Sequence, residues 1–258
     1  MNVYYMNGAG NDFMVMDARG GEYDFGKLSV ELCKLTGADG FMAVDHSECA
    51  DFKLHFYNAD GSRGEMCGNG ARCICRFAWE LGIAGEAMTV ETDAGLVPGW
   101  RLDESTYRVK LNNPSILDLT RKGNTAYVEL GQPGVPHGVA AWEGDLWGNK
   151  EALRERMRAL RFDPAFPKGA NINFYQILGP GEVRVLTFER GVEDFTLACG
   201  TGTGSVACCL YFLGLLPEKY LIAHNPGGTL KVRLETREEE ITAIFLEGPT
   251  EVEKVYNL

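Results

Sequence analysis

Apolar and polar residues alternate along two short segments of the chain. In the first, residues 51–58, the apolar positions are Phe52, Leu54 and Phe56, and the residues between them are polar or mixed. A period of two residues predicts a β-strand that buries one of its faces. The second segment, residues 183–190, has the same pattern. We therefore predict one strand in each segment.

A helical pattern follows each predicted strand, because apolar residues recur there at intervals of three or four. These residues are Ala71, Ile74, Ala78 and Leu81 in the first helix and Val206, Ala207, Leu210 and Leu213 in the second. Gly82 and Gly214 come next, and glycine is common just beyond a helix C-terminus. The spacing also predicts an earlier helix in each half, at 27–35 and 151–160.

The two strand–helix segments belong to a longer internal repeat. Cys67-Gly68-Asn69-Gly70 and Cys199-Gly200-Thr201-Gly202 lie 132 positions apart, since 199 minus 67 is 132. The same offset superimposes Gly37-Ala38 on Gly169-Ala170, and it needs no gap from residue 37 to residue 95. The cysteine and glycine content predicts only roughly 0.1 chance occurrences of Cys-Gly-x-Gly in a chain of this composition. Two occurrences in matching surroundings therefore indicate a duplication.

The duplication predicts an α+β fold of two pseudo-symmetric α/β domains, with the active site in the cleft between them. We place the domains at 1–113 and 114–247, because the polar and proline residues of Asn112-Asn113-Pro114 interrupt the strand pattern there. The last segment, 248–258, contains a strand pattern over residues 250–255 and could return to the first domain.

Composition argues against several classes of function. With 258 residues, 45% of them hydrophobic and 24% charged, the chain is typical of a globular protein and has no stretch that approaches a transmembrane helix. A formal net charge of -11 argues against nucleic acid or an anionic membrane as partner, because both attract basic surfaces. The N-terminal residues lack the pattern of a secretory signal, so we expect a soluble, cytoplasmic protein with eight reduced cysteines.

Cys67 and Cys199 each precede a predicted helix. The unpaired backbone N–H groups at a helix N-terminus carry partial positive charge, which favours a thiolate. The flanking glycines allow the backbone to approach a ligand, and the same N–H groups can bind a carboxylate without a cationic side chain. One turn thus provides an anion site and a group that can exchange a proton.

Two such thiols on opposite faces of a substrate suit one reaction in particular. To invert a stereocentre, a base removes the α-proton from one face while an acid delivers a proton to the other. Helix N-termini aimed at the substrate carboxylate stabilise the negative charge that develops there. We therefore interpret Cys67 and Cys199 as the acid/base pair of an amino-acid epimerase.

Other interpretations remain open for the cysteines. A cysteine most often only fills the core, and we expect this of the remaining six, Cys33, Cys49, Cys73, Cys75, Cys208 and Cys209. A non-enzymatic metal-binding protein is the alternative from another class, although Cys67, Cys73 and Cys75 lack the pair spacing of zinc sites. We expect neither a metal nor a cofactor.

Several longer motifs stand along nearly the whole chain. They are Gly8-Ala9-Gly10-Asn11-Asp12-Phe13, Gly37-Ala38-Asp39-Gly40, Phe56-Tyr57-Asn58-Ala59-Asp60-Gly61-Ser62, Met66-Cys67-Gly68-Asn69-Gly70-Ala71-Arg72-Cys73, Pro136-His137, Ala170-Asn171-Ile172, Glu189-Arg190-Gly191, Ala198-Cys199-Gly200-Thr201-Gly202 and Pro226-Gly227-Gly228. Together they resemble the diaminopimelate epimerase family. The resemblance implies interconversion of LL- and meso-diaminopimelate without pyridoxal phosphate, in bacterial lysine and peptidoglycan synthesis. It also implies a homodimer.

The resemblance further implies roles for individual residues. Cys67 and Cys199 would be the acid/base pair, while His137 and Glu189 would help to polarise the thiols. The reacting carboxylate would be held by Gly68, Asn69, Gly200 and Thr201. The rest of the substrate would be bound by Asn11, Asn58, Asn171, Glu189 and Arg190. By residue type alone, His137 is equally explained as a structural histidine, and each asparagine as a turn or cap residue.

The chain departs from the family pattern at two places. Val135 stands where the family has asparagine before Pro-His, and Glu193-Asp194-Phe195-Thr196 replaces the family's Gly-Glu-Thr ahead of the second cysteine. An isopropyl group in place of an amide removes a hydrogen-bonding group, and such changes alter substrate choice. A related racemase of another amino acid, such as histidine, therefore remains the alternative to a diaminopimelate epimerase, and proline-racemase-like chemistry is a more distant one.

Overall fold

The computed structural model describes residues 1–64 and 67–258. Along this part of the chain, strands and helices follow one another as β1 (Asn2–Gly8), β2 (Asn11–Asp17), α1 (Phe25–Thr36), β3 (Gly40–Asp45), β4 (Phe52–Asn58), α2 (Gly68–Glu80), β5 (Ala87–Thr92), β6 (Gly95–Arg101), β7 (Thr106–Leu111), β8 (Pro114–Lys122), β9 (Thr125–Gly131), β10 (Gly134–Ala141), α3 (Lys150–Arg161), β11 (Asn171–Gly179), β12 (Glu182–Glu189), β13 (Asp194–Thr196), α4 (Gly200–Phe212), β14 (Tyr220–Asn225), β15 (Gly228–Arg237), β16 (Glu240–Pro249) and β17 (Glu251–Asn257). The predicted α+β class is confirmed.

The chain divides into two compact units. Unit 1 comprises residues 1–110 and 247–258, and unit 2 comprises residues 111–246. Met66, which opens one of the cysteine motifs, lies outside the described residues. Among the helices of the described residues, none is long and apolar enough to span a membrane.

Unit 1 is built on strands that pair in an alternating sequence of directions. β1 is antiparallel to β2, β2 is parallel to β3, β3 is antiparallel to β4, β4 is parallel to β5, and β5 is antiparallel to β6. The last strand of the chain, β17, pairs with β1 in antiparallel fashion. Helix α1 packs on β2, β3 and β4, whereas α2 contacts β1, β2, β3 and β6.

Unit 2 repeats this sequence of pairings. β9 and β10 are antiparallel, β10 and β11 parallel, β11 and β12 antiparallel, β12 and β14 parallel, and β14 and β15 antiparallel. α2 starts at residue 68 and α4 at residue 200, which is the 132-residue offset of the sequence repeat, and both helices have 13 residues. The positions of α2 and α4 therefore follow the repeat found in the sequence.

The strand register of the two units differs by two residues. In unit 1, Phe56 on β4 lies opposite Met42. In unit 2, its counterpart Phe188 lies opposite Ile172, which corresponds to Gly40 rather than to Met42. Because side chains alternate between the two faces of a sheet, a shift of two leaves each residue on the same face. The repeat pattern is thus compatible with both registers.

α2 and α4 are buried around most of their circumference. The predicted apolar positions Ala71, Ile74 and Ala78 are buried in α2, but so are Cys73 and Cys75 on its other sides. Small side chains at these positions allow several strands to approach one helix. The helices are therefore central core helices, and not surface helices with a single apolar stripe.

Both helices end where glycine was expected. Gly82 and Gly214 have φ values of 64° and 71°, in the left-handed region that ends helices. Leu81 and Leu213, the last apolar residues of the two helical patterns, are exposed residues at the helix C-caps. The expectation that the six remaining cysteines fill the core was wrong about Cys49, which is exposed, whereas Cys33, Cys73, Cys75, Cys208 and Cys209 are buried as expected.

Candidate active site

Cys67 lies at the N-terminus of α2 in unit 1. It is the N-cap residue, with extended backbone angles of φ -102° and ψ 123°, and its side chain is partly exposed. Its carbonyl oxygen accepts the N–H of Ala71 at 2.8 Å, so the helix begins directly after the cysteine. The thiol is therefore placed where the backbone N–H groups of the first turn concentrate positive charge.

The side chain of Asn69 is fixed by a chain of hydrogen bonds. Its Nδ2 donates to Asn11 Oδ1 at 2.7 Å, and Asn11 Nδ2 donates to Asp39 Oδ2 at 3.1 Å. Asn69 is almost fully buried. The structure thus brings together two of the predicted substrate-binding residues, Asn11 and Asn69, and joins them to an acidic residue that the sequence analysis had not assigned to the site.

Arg72 is a second residue that the sequence analysis missed. Its guanidinium is fully buried, and one nitrogen donates to Gly68 O at 3.3 Å and to Asn69 Oδ1 at 3.0 Å. Its other two nitrogens, Nε and Nη2, have no hydrogen-bond partner in the described part of the chain. Burial lowers the pKa of Arg72 to about 10, and the negative charges that the thiols of Cys73, Cys67 and Cys75 can carry oppose this shift.

The charge of Arg72 acts on all three of these thiols, and most strongly on Cys73. Burial raises the pKa of both Cys73 and Cys75 to about 12, so both stay neutral near pH 7. Cys67 is the partly exposed member of the three. A buried cation beside a cysteine favours its thiolate. The Arg72 guanidinium and the N-terminus of α2 therefore both place positive charge near Cys67.

Asn58 lies at the exposed end of β4. Its Nδ2 donates to Ser62 Oγ at 3.0 Å, and its backbone N–H donates to Ser62 O at 2.9 Å. These bonds close the turn that follows the strand. The turn function that residue type alone suggested is therefore present, and a contact with substrate remains a prediction.

Cys199 occupies the same position in unit 2, as the N-cap of α4. Its Sγ accepts a hydrogen bond from the N–H of Gly202 at 3.4 Å and lies 3.6 Å from Thr201 Oγ1. The residue is only 7% exposed. A donor N–H at the sulfur stabilises the charged form of a thiol. This turn therefore favours the thiolate through direct hydrogen bonding.

Three neighbouring strands of unit 2 bring the other predicted residues to one edge. His137 on β10 pairs with Asn171 at the start of β11. Asn171 Oδ1 accepts the backbone N–H of Arg190 at 2.8 Å, just beyond the end of β12. Glu189 ends β12, and its Oε2 accepts the hydroxyl of Thr196 at 2.8 Å. The guanidinium of Arg190 donates to the carbonyl of Lys168 at 3.3 Å.

His137 is fully buried, and its two ring nitrogens differ in their surroundings. Nδ1 lies 3.2 Å from the side-chain nitrogen of Asn173. Nε2 has no partner among the residues that the structure describes. Burial lowers the pKa of His137 from 6.5 to about 3, and the positive charge of Arg190 acts in the same direction. The imidazole is therefore neutral near pH 7.

Asn173 was also missed, although the sequence contained a signal. Asn171 and Asn173 stand two residues apart on β11, so their side chains lie on the same face of the sheet as each other. Period-two spacing of two asparagines in an otherwise apolar strand could have identified both. Within the described residues, no group of three or more histidine, cysteine or acidic side chains is arranged to bind a metal ion.

Comparison with known proteins gives consistent results. The family model of diaminopimelate epimerase matches residues 3–117 and 134–252. The diaminopimelate epimerase of Aquifex aeolicus is 35% identical over 269 residues, covering 96% of this chain and 94% of the relative. That of Chlorobaculum tepidum is 36% identical over 254 residues, covering 95% of this chain and 96% of the relative.

Solved structures with low sequence identity share the fold. A phenazine biosynthesis protein of the PhzF family from Bacillus anthracis superimposes with a TM-score of 0.72 at 15% identity, covering 100% of this chain and 98% of that chain. A hydroxyproline epimerase from Agrobacterium vitis, with bound trans-4-hydroxy-L-proline, has a TM-score of 0.69 at 16% identity and covers 100% of this chain and 90% of that chain. The resemblance drawn from the motifs is confirmed. Since the family model matches both halves and relatives align over nearly its full length, the chain belongs to the diaminopimelate epimerase family.

Proposed function

We propose that this protein is an isomerase that interconverts LL- and meso-diaminopimelate without pyridoxal phosphate, using Cys67 and Cys199 as its acid/base pair. One observation carries the proposal. Within a chain of this family, each of the two repeated units places one cysteine as the N-cap of its central helix. A reaction that transfers protons on two opposite faces of a carbon requires two such groups, and the duplicated fold provides one thiol in each unit.

Inversion at a carbon needs two proton-transfer groups. A single base would return the proton to the face from which it came, whereas two groups allow removal from one face and delivery to the other. For turnover in each direction, one sulfur must be a thiolate while the other is a thiol. The N–H of Gly202 donates a hydrogen bond to Cys199 Sγ, and the buried guanidinium of Arg72 carries a positive charge near Cys67. Both interactions favour a thiolate over a neutral thiol.

The carbanion formed at the α-carbon is stabilised through its carboxylate. The first turns of α2 and α4 contain Gly68, Asn69, Gly200 and Thr201, whose backbone N–H groups lie at the positive ends of the helices. We assign these residues to the carboxylate. Preorganised N–H groups of this kind are worth about 2.7–4 kcal/mol each when they stabilise charge in a transition state.

The remaining predicted residues are assigned to the amino group and the distal end of the substrate. Arg190 supplies a positive charge for a distal carboxylate, and Asn171 holds its backbone through the 2.8 Å bond to its N–H. Asn11 and Asn58 are assigned to polar groups of the substrate from unit 1. His137 and Glu189 are assigned to the environment of the thiols and the substrate amino group.

Val135 supports a second candidate function. It lies on β10 two residues before His137, is partly exposed, and has no side-chain hydrogen-bonding group. A substrate with a less polar distal end would fit such a position better than diaminopimelate does. A cofactor-independent racemase of another amino acid, histidine being the candidate, is therefore the alternative that the assay below must include.

Three further properties belong to the proposal. We propose that the protein acts in the cytoplasm on a free amino acid, that it forms a homodimer, and that its functional halves are residues 1–113 with 248–258 and residues 114–247. The family to which the chain belongs supports the substrate class. The net charge of -11 argues against a nucleic-acid or membrane partner.

The test is α-hydrogen exchange in D₂O with protein purified and assayed without pyridoxal phosphate. LL-diaminopimelate, meso-diaminopimelate, histidine and proline are compared by proton NMR, and the stereochemistry of the products is read by chiral chromatography. We expect deuterium incorporation and inversion with diaminopimelate. Exchange with histidine alone would replace the substrate assignment, and exchange with none of the four would refute the enzyme assignment.

The thiol assignment is tested with Cys67→Ala and Cys199→Ala. We expect each change to abolish inversion, because one of the two faces then has no proton-transfer group. Cys49→Ser is the matched control, since Cys49 is an exposed cysteine outside the two turns. Substantial epimerisation by either alanine variant would remove the two-thiol mechanism.

A further inference from the structure

Asn173 is a fully buried residue on β11 whose side-chain amide is completely surrounded by polar partners. Its Nδ2 lies 3.3 Å from Gly138 O, 3.1 Å from Asn171 O and 3.2 Å from His137 Nδ1. Its Oδ1 accepts the hydroxyl of Thr187 at 2.9 Å. Neither end of the amide contacts solvent.

These partners determine which way the amide points. The two backbone carbonyl oxygens can only accept hydrogen bonds, so the group that faces them must be the NH₂. The opposite orientation would place Oδ1 against two carbonyl oxygens inside the protein and leave buried acceptors unsatisfied, at about 1–3 kcal/mol each. The NH₂ therefore also faces the imidazole of His137.

The orientation of Asn173 in turn determines the tautomer of His137. The NH₂ has two hydrogens to share among these three acceptors, and its nitrogen has no lone pair available for a hydrogen bond. A proton on Nδ1 of His137 would point at a group that can only donate, so Nδ1 is the nitrogen without the proton. In a neutral imidazole the single ring proton is then on Nε2. Nε2 is the nitrogen without a partner in the described residues, so its N–H is left to donate to a ligand.

Asn173 also packs against the turn that carries Cys199. A Cβ built on Gly202 would overlap Asn173 Oδ1, so no side chain fits there while the amide is in place. The N–H of Gly202 is the group that donates to Cys199 Sγ. Asn173 therefore lies between His137 and the first turn of α4, so a shift of its side chain would displace groups in both.

We propose that Asn173 is a positioning residue that holds His137 as the neutral Nε2–H tautomer, so that His137 acts as a hydrogen-bond donor and not as a proton acceptor. The proposal rests on the proposed function for the placement of His137 at the active site. The acceptor of its N–H is an anion of the reaction, either a thiolate or the substrate carboxylate.

The experiment is NMR spectroscopy of the full-length protein with ¹⁵N-labelled histidine rings. The chain has four histidines, and the signals of His137 are identified by their loss in His137→Gln. Long-range ¹H–¹⁵N correlations distinguish the two tautomers. We expect a pyridine-like Nδ1 and a pyrrole-like Nε2 for His137. An Nδ1–H tautomer or a protonated ring near pH 7 would overturn the proposal, and this measurement needs no variant of Asn173.

Two variants separate positioning from a general structural role. Asn173→Asp replaces the NH₂ with an acceptor, so it should move the ring proton to Nδ1. Thr187→Val removes a bond to the other end of the same amide, and we expect it to leave the Nε2–H tautomer in place. An unchanged tautomer in Asn173→Asp would refute the inference.

Activity provides a second measurement. We expect Asn173→Ala to lower kcat by about 10²-fold, with a much smaller change in KM, because loss of an oriented histidine removes an interaction made in the transition state. An increase in KM with kcat unchanged would contradict the inference. If the wild-type protein exchanges no amino acid, the proposed function fails, while the NMR pattern still decides the tautomer.

Discussion

Gly202→Ala probes the contact between the Cys199 turn and Asn173. The added Cβ would overlap Asn173 Oδ1, which cannot move freely because the same amide is bonded to Thr187, Gly138 and Asn171. Overpacking of this kind costs about 1–3 kcal/mol. The higher helix propensity of alanine offsets at most about 1 kcal/mol of this cost.

Displacement of the Asn173 amide adds to this effect. Each hydrogen bond that it loses costs about 0.5–1.5 kcal/mol. We therefore expect Gly202→Ala to lower the free energy of unfolding by about 2 kcal/mol, from the balance of these terms. Urea unfolding at pH 7 measures the stability, and the D₂O exchange assay measures the activity, which should fall because His137 and Cys199 are both disturbed.

Gly204→Ala is the matched control on the same helix. Its Cβ would meet Leu111 Cδ1, a terminal methyl group, at 2.9 Å, and would lie at ordinary contact distances of 3.5 Å from Leu130 Cδ1 and 3.6 Å from Ile244 Cγ2. These methyl groups can shift, so the variant should be closer to the wild type in stability. If Gly202→Ala proved as stable and as active as Gly204→Ala, the argument that Asn173 is held rigidly would be refuted.

Three more predictions concern charge and cysteine reactivity. Arg72→Met removes the buried cation near Cys67, and we expect alkylation of Cys67 at pH 7 to slow by about tenfold, the equivalent of one pKa unit. Mass spectrometry after iodoacetamide treatment measures the alkylation rate, and an unchanged rate would contradict the electrostatic role of Arg72. In the native protein, Cys49 should be alkylated readily, whereas four of the buried thiols, those of Cys73, Cys75, Cys208 and Cys209, should react only after unfolding. Rapid labelling of these four thiols in the native protein would show that this burial is wrong. The pKa of His137 is about 3 in the folded protein and ordinarily 6.5, so between these pH values only the unfolded chain binds a proton at His137. The free energy of unfolding therefore falls as pH falls through this window. His137→Gln should reduce the slope of unfolding free energy against pH by up to about 1.4 kcal/mol per pH unit, and parallel stability curves for the two proteins would refute the burial argument.

The repeated local pattern was sufficient to predict the central elements. The Cys-Gly-x-Gly motifs, the helical spacing behind them and Gly82 and Gly214 at their ends located α2 and α4 closely, since helix starts and stops depend on residues a few positions apart. The pattern was less informative about burial. Cys49 was expected in the core, yet it is exposed, and the apolar residues Leu81 and Leu213 are exposed at the helix ends.

The polar residues that surround the candidate site show the clearest limit of sequence reasoning. Arg72 reads as an ordinary charged helix residue, but it is fully buried because α2 contacts strands on several sides. Asn173 reads as a strand residue beside the motif, but it orients His137. Neither property can be derived from neighbours in sequence, because each depends on contacts with other strands and helices.

The sequence by itself determined the duplication, the positions of the two helices, the two cysteines that begin them and the family. The tertiary structure decided which polar groups meet, such as Asn173 with His137 and Asn69 with Asn11. The physical reason is strand register. An even shift leaves every side chain on the same face, so the apolar pattern is compatible with several registers, and the two units do differ by two residues between equivalent strands. Only the packing of the whole unit selects one register, and with it the partner of each buried polar atom.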